Sequence, residues 1–268
     1  MQTEPLTDKS PEKIRRMFDS IAPRYDFLNH FFSLGIDRRW RRIAVRRLLN
    51  KTIPEGSVLD VCCGTGDLTL EFLKQTKNRE FYGIDFSQEM IGIGLRKIET
   101  YRNNGIPVRF MVGDALNLPF EPDSFAIVAA AFGLRNVGNT GQGLNEMFRV
   151  CKPDGIIAVL EFSMPELPIL STAYRFYFRS VLPRIGQFLA RNQDNAYRYL
   201  PESVLTFDKP EELARRLQLL GVTDIQILPL TFGIVTLIWG RKNGNNSCRF
   251  PQGGFINGGA SKTVSICS

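Results

Sequence analysis

Acidic residues that follow short apolar runs are the residues of this sequence best placed for chemistry. The segment VLDVCCGTGD (58–67) carries Asp60 and a Gly-Thr-Gly turn, and Asp85 ends the next apolar run. An acid at the end of a second strand, beyond a glycine-rich turn, accepts hydrogen bonds from both hydroxyls of a ribose. Asp114 follows the third apolar run and can accept from an adenine amino group. These positions predict a nucleoside-binding site.

The same turn indicates which nucleoside the site would hold. Gly64 and Gly66 allow a tight turn and a close approach of a ligand to the backbone. Thr69 stands where a dinucleotide site would carry its third glycine, and no lysine follows as it does in a phosphate-binding P-loop. Three acids would repel the phosphates of NAD, whereas they suit a nucleoside that carries positive charge. We therefore expect S-adenosylmethionine, which has a sulfonium, an ammonium group and no phosphate.

Strands and helices must alternate to bring these acids to one edge of a sheet. Predicted strands lie at 58–61, 81–84, 108–112, 125–131, 155–161, 223–228 and 234–239. Predicted helices lie at 67–74, 87–99 and 210–220, and a further one includes 146–150. This pattern is typical of a doubly wound α/β fold, in which helices cover both faces of a parallel sheet.

The rest of the chain is expected to flank or cap this core. Residues 1–56 form a mostly helical N-terminal region that packs on the core, and Pro23 is predicted to break its first helix. The core spans 57–242, and the aromatic-rich stretch 164–206 interrupts its alternation, so we expect a substrate lid there. Residues 243–268 are rich in Gly and Asn, which predicts a disordered tail.

Composition excludes several classes of site and location. The chain has five cysteines, no C-x-x-C pair and a single histidine, His30, so we expect no metal site. Neighbouring Cys62 and Cys63 point to opposite sides of an extended chain, and we interpret them as small apolar filler. No apolar run reaches the length of about 18 residues that spans a bilayer, and the polar N-terminus is unlike a secretory signal. A cytoplasmic protein is expected.

One basic segment accounts for the whole net charge of +7. Residues 38–51 (RRWRRIAVRRLLNK) carry six arginines, one lysine and no acid, and the other 27 of the 34 basic residues are balanced by 27 acids. The apolar residues that share one helical face are Trp40, Ile43, Ala44 and Leu48. This pattern fits a helix on an anionic membrane surface, or a stripe packed on the core beneath a solvated basic face. A nucleic-acid-binding module is the alternative of a different class.

Several motifs around these acids carry a family resemblance. The segments VLDVCCGTGD, DFSQEMIGIG (85–94), DALNLPF (114–120) and EMFRVCKPDG (146–155) resemble class I S-adenosylmethionine-dependent methyltransferases. MFDSIAPRYDFLNHFFSLGIDRRW (17–40), AFGLRNV (131–137) and LEFS (160–163) more narrowly resemble the quinone C-methyltransferases of menaquinone and ubiquinone biosynthesis. The resemblance covers about residues 10–242. The chain departs from the family at Cys62-Cys63, where two small residues are usual, and lacks family histidines near Asp37 and Ile238.

The resemblance implies a Rossmann-like, mostly parallel seven-stranded sheet that ends in an antiparallel strand. It assigns cofactor binding to Thr65, Asp85, Asp114 and Ala115, and it assigns the shaping of the cofactor site to Asp60, Gly64 and Gly66. The implied activity is methyl transfer from S-adenosylmethionine to the ring carbon of demethylmenaquinol, giving menaquinol, and methylation of the ubiquinone-pathway benzoquinol is the near alternative. The implied partners are a prenylated quinol and the inner face of an anionic membrane, with no nucleic acid. A homodimer is left open.

Carbon methylation requires a ring carbon made nucleophilic by loss of a proton from a neighbouring hydroxyl. Arg135, in AFGLRNV, would stabilise the resulting oxyanion or orient a water. The alternative for Arg135 is a salt bridge to a neighbouring acid. Asn136, Tyr25 and Tyr177 are secondary catalytic candidates, whereas a packing or surface role is expected for His30 rather than a role as base.

Overall fold

A seven-stranded sheet forms the centre of the protein. The computed structural model describes residues 10–165, 172, 174 and 196–244. The strands are β1 (Ser57–Val61), β2 (Phe81–Asp85), β3 (Val108–Val112), β4 (Phe125–Ala131), β5 (Cys151–Phe162), β6 (Val222–Leu230) and β7 (Val235–Lys242). Their order is β3-β2-β1-β4-β5-β7-β6. Strand β7 runs antiparallel to both β5 and β6, and all other neighbouring strands are parallel. The predicted doubly wound, mostly parallel α/β fold is confirmed.

The strand order places a switch point between β1 and β4. Val61, at the end of β1, pairs with Ile84 of β2 on one side and with Ala130 of β4 on the other. The chain leaves β1 toward β2 and β3, then crosses back to β4 and β5. Ligands of such sheets bind in the crevice beyond the carboxyl ends of the strands at this point.

Two helices precede the sheet, α1 (Pro11–Phe32) and α2 (Ile36–Leu49). The predicted break at Pro23 is wrong, because α1 continues through it. A proline removes one helical hydrogen bond, but Ala22 and Leu28 on either side are buried against the protein. Tertiary packing of the apolar face therefore outweighs the local preference of one exposed proline.

The apolar face of α2 lies in the core of the protein. Its buried residues are Trp40, Ala44, Val45 and Leu48, which share one core with the sheet. Arg41 is also buried, while the other six basic residues of 38–51 are exposed. The interpretation as a core-packed stripe beneath a solvated basic face is therefore confirmed, and this stripe cannot insert into a bilayer.

Helices α3 (Asp67–Gln75) and α4 (Gln88–Asn103) extend the core of α2 on one face of the sheet, with Phe72 and Ile98 fully buried. Helices α5 (Thr140–Val150) and α7 (Pro210–Leu219) cover the other face through Leu144 and Leu213. Helix α6 (Ala196–Leu205) precedes α7. Ser87 caps α4 as predicted, since the Met90 N–H donates to its Oγ at 3.1 Å.

Parts of the sequence-based predictions fall outside the described residues. They include Tyr177, most of the lid at 164–206 and the tail from 245 onward. The lid and the tail therefore stay predictions. None of the helices in the described part of the chain combines the length and apolar composition that a membrane-spanning helix needs.

Candidate active site

A cavity opens at the switch point of the sheet. Its walls include Ile84, Asp85, Asp114, Ala115 and Gly133, which follow or end β2, β3 and β4. Parallel strands bring their carboxyl ends to one edge, so acids that are distant in sequence share one wall.

Asp85 lies at the centre of this wall. The Gly64 N–H donates to its Oδ2 at 2.8 Å and the Ser87 N–H donates to its Oδ1 at 2.9 Å. These two bonds orient the carboxylate, and each oxygen keeps a lone pair for a ligand. Burial raises the pKa of Asp85 above its usual value. The ribose role of Asp85 stays a prediction, for which this orientation is well suited.

The Gly-Thr-Gly turn contributes its first residue to the cavity wall. Gly64 lines the cavity at φ 55°, whereas Gly66, at φ 83°, faces the ring of Phe110. A Cβ on Gly66 would lie 2.5 Å from that ring. The Thr65 hydroxyl donates to Asp26 on α1 and accepts from Lys97 Nζ on α4 at 2.9 Å. Gly66 and Thr65 thus serve packing and a helix contact, and are absent from the cavity wall.

Asp60 lies beneath the turn instead of in the cavity wall. Its Oδ2 accepts hydrogen bonds from Thr69, at 3.0 Å from the backbone N–H and at 2.7 Å from the hydroxyl. Its Oδ1 is buried without a partner. Burial raises the pKa of Asp60 to about 7. Asp60 therefore shapes the start of α3, which fits the predicted shaping role.

Asp114 and Ala115 form the far side of the cavity. The Leu116 N–H donates to Asp114 Oδ1 at 2.9 Å, which holds an exposed acid at the mouth. Ala115 is buried and presents only a methyl group. An adenine ring could pack on the methyl group of Ala115 and direct its amino group outward to the carboxylate of Asp114.

Helix α1 forms a wall of the site, of which the sequence analysis indicated only Tyr25. Ile14, Phe18 and Tyr25 line the cavity. Asp19 accepts from the hydroxyl of Ser87, and Asp26 pairs with Lys97 at 2.6 Å. These two polar contacts hold α1 against α4 beside the cavity. Asp19 and Asp26 are seven residues apart, which is about two helical turns. This spacing was the one signal in the sequence that both lie on the same face of α1.

A second, smaller cavity adjoins the first. Most of its walls are apolar, from Met17, Ile21, Leu28 and Phe32 of α1 and Tyr199 of α6. Three residues line both cavities: Phe18, Tyr25 and Asn136. Arg135 lines only the second. The structure therefore places the predicted catalytic candidates Tyr25 and Asn136 at the boundary between an acidic and an apolar chamber, and Arg135 in the wall of the apolar chamber.

Arg135 is paired with an acid, as the alternative interpretation held. Its Nη1 lies 3.1 Å and 3.2 Å from the two carboxylate oxygens of Glu161, and also donates to the Phe132 carbonyl oxygen. Its guanidinium stacks on the Phe162 ring at 5.3 Å, and its Nε is buried without a partner. Burial raises the pKa of Glu161. The sequence patterns missed Glu161, although it lies within the quoted segment LEFS.

Tyr25 and Asn136 complete the polar boundary. Burial raises the pKa of Tyr25, although the Arg135 charge opposes this, and Tyr25 therefore keeps its hydroxyl proton near neutral pH. The side-chain Oδ1 of Asn136 is buried and has no hydrogen-bond partner among the residues that the structure describes. A buried acceptor without a partner costs free energy unless a ligand supplies the donor.

His30, Asp37 and Asp67 are the one group of potential metal ligands among the described residues. Arg41 lies among them, because it donates to Asp37 and its Nη1 is 3.7 Å from Asp67 Oδ2. His30 Nδ1 is 2.8 Å from Asp37 Oδ2. A guanidinium already supplies the positive charge, so the group is an ion-pair network that ties α1, α2 and α3 together. This agrees with a packing role for His30.

Comparison with known proteins identifies the family. A model of the ubiE/COQ5 methyltransferase family matches residues 6–242. The chain is 44% identical over 238 residues to the ubiquinone/menaquinone biosynthesis C-methyltransferase UbiE of Geotalea daltonii, covering 88% of this chain and 99% of the relative. It is 42% identical over 240 residues to the demethylmenaquinone methyltransferase of Deinococcus radiodurans, covering 89% and 97%.

Solved structures agree on the fold. The [4+2]-cyclase SpnF aligns with a TM-score of 0.59 at 17% identity, over 86% of this chain and 95% of its own. A SAM-dependent methyltransferase from Aquifex aeolicus aligns with a TM-score of 0.52 at 17% identity, over 74% and 89%. With an S-adenosylmethionine-dependent methyltransferase fold, a fitting cavity at its switch point and a family match over most of its length, this chain belongs to the ubiE/COQ5 methyltransferase family.

Proposed function

We propose that this chain transfers the methyl group of S-adenosylmethionine to a ring carbon of demethylmenaquinol, giving menaquinol. The observation that carries the proposal is the pair of adjoining cavities, one with acids at the strand ends and one apolar with Arg135 in its wall. Relatives named demethylmenaquinone methyltransferase, at 37–42% identity, support this choice of acceptor.

The first cavity fits the methyl donor by its charge. Its described walls carry Asp85 and Asp114 and no basic side chain. A phosphate would meet two carboxylates there, whereas a sulfonium and an ammonium would be attracted by them. Asp85 would bind the ribose and Asp114 with Ala115 would hold the adenine, while Gly64 approaches the ligand through its backbone. Asp60, Thr65 and Gly66 would keep the turn in shape.

The second cavity fits an aromatic quinol with an apolar tail. S-adenosylmethionine supplies an electrophilic methyl group. Once a neighbouring hydroxyl has lost its proton to water, the ring carbon attacks this methyl group, the bond between the sulfur and the methyl carbon breaks, and S-adenosylhomocysteine leaves. Arg135 would stabilise the phenolate, and Asn136 Oδ1 would accept from the other ring hydroxyl. Tyr25, at the boundary, would hold the ring against the methyl group. Loss of the ring proton then restores aromaticity.

The benzoquinol of the ubiquinone pathway is the second candidate acceptor. Its support is the name of the Geotalea daltonii relative, which includes both pathways. Both quinols present a ring hydroxyl beside an unsubstituted ring carbon, so the same Arg135 and Asn136 contacts would serve either.

A direct assay tests the reaction and separates the two acceptors. The purified chain is incubated with S-adenosylmethionine and a short-chain demethylmenaquinol or benzoquinol under reducing conditions, and the products are identified by mass spectrometry. We expect a methylated naphthoquinol from the parent and none from Asp85→Ala. Absence of methylated product from both quinols would contradict the proposal.

We also propose that the protein works at the inner face of an anionic membrane, where its substrate resides. The exposed residues Arg38, Arg39, Arg42 and Arg46 support this, since each basic residue near such a surface contributes about 1 kcal/mol. Replacing all four by Gln should abolish co-sedimentation with anionic liposomes at low salt. Retention on DNA that falls with salt and needs no methyl donor would favour the nucleic-acid interpretation instead. Gel filtration tests the homodimer.

A further inference from the structure

The end of α1 and the turn after it carry a cluster of exposed apolar side chains. Its members, named here the apolar tip, are Phe27, Phe31, Leu34 and Ile36, with exposed fractions of 61%, 45%, 86% and 36%. They are four of the eight large apolar side chains that are exposed in the described part of the chain. Such a concentration within ten residues marks an interaction surface.

Leu34 is a poor choice for the fold alone. Its φ is 51°, in the left-handed region that a leucine occupies only at a cost, and Gly35 follows at φ 75°. Asn or Gly would suit that backbone better. A strained backbone that displays a leucine almost entirely to solvent points to a role outside the fold.

The apolar tip is continuous with the second cavity. Phe32, in the wall of that cavity, contacts the Phe31 ring edge-on at 5.7 Å, and Phe31 stacks on Phe27 at 5.9 Å. An unbroken series of aromatic rings thus leads from the chamber of the aromatic acceptor to the surface. A long apolar tail could leave the cavity along this series of apolar side chains.

The surface next to the apolar tip is cationic. Arg38, Arg39 and Arg42 are exposed on the first turns of α2. The only acid of α2, Asp37, is buried and paired with Arg41. Because the apolar stripe of α2 faces the core, the apolar tip is the part of this region that can enter an apolar phase. Exposed aromatic residues beside exposed arginines fit an anionic bilayer surface.

We propose that the apolar tip inserts into an anionic membrane and that the tail of the substrate enters the second cavity beside it. The proposal rests on the proposed function for the identity of the tail. A second copy of the chain is a poorer occupant, because a symmetric contact would bring two basic faces together.

The test compares two tip variants with a matched control. Leu34→Asn suits the left-handed backbone, and the double variant adds Phe27→Gln on an exposed helical position. Leu219→Gln is the control, because Leu219 is an exposed leucine (69%) that lies far from the apolar tip. Leu219 ends α7, which packs on the edge strand β6. Helix α1 packs on α4, near the opposite edge of the sheet. Binding is measured by co-sedimentation with vesicles of phosphatidylcholine and phosphatidylglycerol, and stability by thermal unfolding.

We expect the double variant to lose at least about tenfold in vesicle partitioning, the scale for one large apolar side chain that is no longer buried. Leu34→Asn should bind more weakly and unfold no earlier than the parent, and the control should match the parent in both. Turnover of a vesicle-borne long-chain quinol should fall, while turnover of a short-chain quinol persists. Unchanged partitioning of both tip variants would overturn the proposal, as would a parent dimer that the tip variants dissociate.

Vesicle partitioning needs no turnover. If the parent methylates no quinol, the proposed function fails, while the tip-dependent partitioning still decides whether the membrane contact exists.

Discussion

Arg135 and Glu161 form a buried ion pair at the wall of the second cavity, with Arg135 Nη1 3.1 Å from Glu161 Oε1. Arg135 lies in a short 3-10 turn after β4 and Glu161 near the end of β5, so two neighbouring strands deliver the two charges. A paired guanidinium is held in one orientation without losing its positive charge. The pair can therefore serve both stability and the stabilisation of a phenolate.

Loss of the guanidinium should impair turnover more than cofactor binding. Arg135→Ala should lower kcat by about 100-fold, the scale for losing one partner of a transition-state oxyanion. Arg135→Lys should recover little, because a point charge cannot reproduce the planar fork. Steady-state kinetics on a short-chain quinol measures kcat, and calorimetry with S-adenosylhomocysteine should give an unchanged Kd.

A double variant separates catalysis from structure. Glu161→Gln alone leaves a buried charge without its partner, which costs about 3–5 kcal/mol of unfolding free energy. Arg135→Met combined with Glu161→Leu removes both charges and should recover most of that stability in urea unfolding. Turnover by this stable double variant would contradict the phenolate role of Arg135.

Removal of the Asp85 carboxylate should weaken the nucleoside site. Asp85→Ala should cost about 1.5–3 kcal/mol of S-adenosylhomocysteine binding, the range for hydrogen bonds to a charged group. Calorimetry measures the change, and Glu121→Ala, at an exposed acid outside the cavity walls, should bind like the parent. The ribose role is wrong if both variants bind equally well.

Asp60 should make stability fall as pH rises toward neutral. Burial raises its pKa from 3.8 to about 7, so between these values the folded protein holds a proton that the unfolded chain has lost. The unfolding free energy from this group is thus highest at the acid end and decreases through that window by up to about 1.4 kcal/mol per pH unit.

Asp60→Asn has no such proton to lose. The unfolding free energy of Asp60→Asn, measured in urea, should therefore rise relative to that of the parent as the pH increases from 3.8 to about 7. Glu99→Gln, at an exposed acid, should follow the parent. Parallel pH profiles for the parent and Asp60→Asn would show that Asp60 ionises normally in the folded state.

Three glycines distinguish backbone strain from crowding against Phe110. Gly105→Ala meets only strain, at φ 76° with no atom within 4 Å, and should cost about 1–2 kcal/mol. Gly83→Ala meets only crowding, with its Cβ 2.6 Å from the ring, and should cost about 1–3 kcal/mol. Gly66→Ala meets both, so its cost should approach their sum, measured by urea unfolding.

Phe110→Leu provides the check on this interpretation. In that background Gly66→Ala should recover the crowding part of its cost and keep the strain part. Equal costs of Gly66→Ala in both backgrounds would show that Phe110 is not the reason for a glycine there.

Local patterns alone determined the sheet and the acids at its edge. The strands around Asp60, Asp85 and Asp114 could be predicted because apolar runs and glycine turns act within a few residues. Parallel strands must end at one edge, so the pattern also predicted that Asp85 and Asp114 would share a cavity. The family resemblance added the antiparallel strand at the end of the sheet and the candidates Tyr25, Arg135 and Asn136.

Only the tertiary structure decided which partners these side chains have. Glu161 is 26 residues from Arg135, and Asp26 is 39 residues from the Thr65 hydroxyl that it binds. No spacing rule connects such pairs, because they depend on how strands and helices pack. The apolar stripe of α2 is a further example. A helix that packs on a core and a helix that lies on a membrane have the same spacing of apolar residues, so the sequence could not distinguish them. In the tertiary structure the apolar stripe of α2 packs against the sheet, and the exposed apolar surface lies at the end of α1 instead.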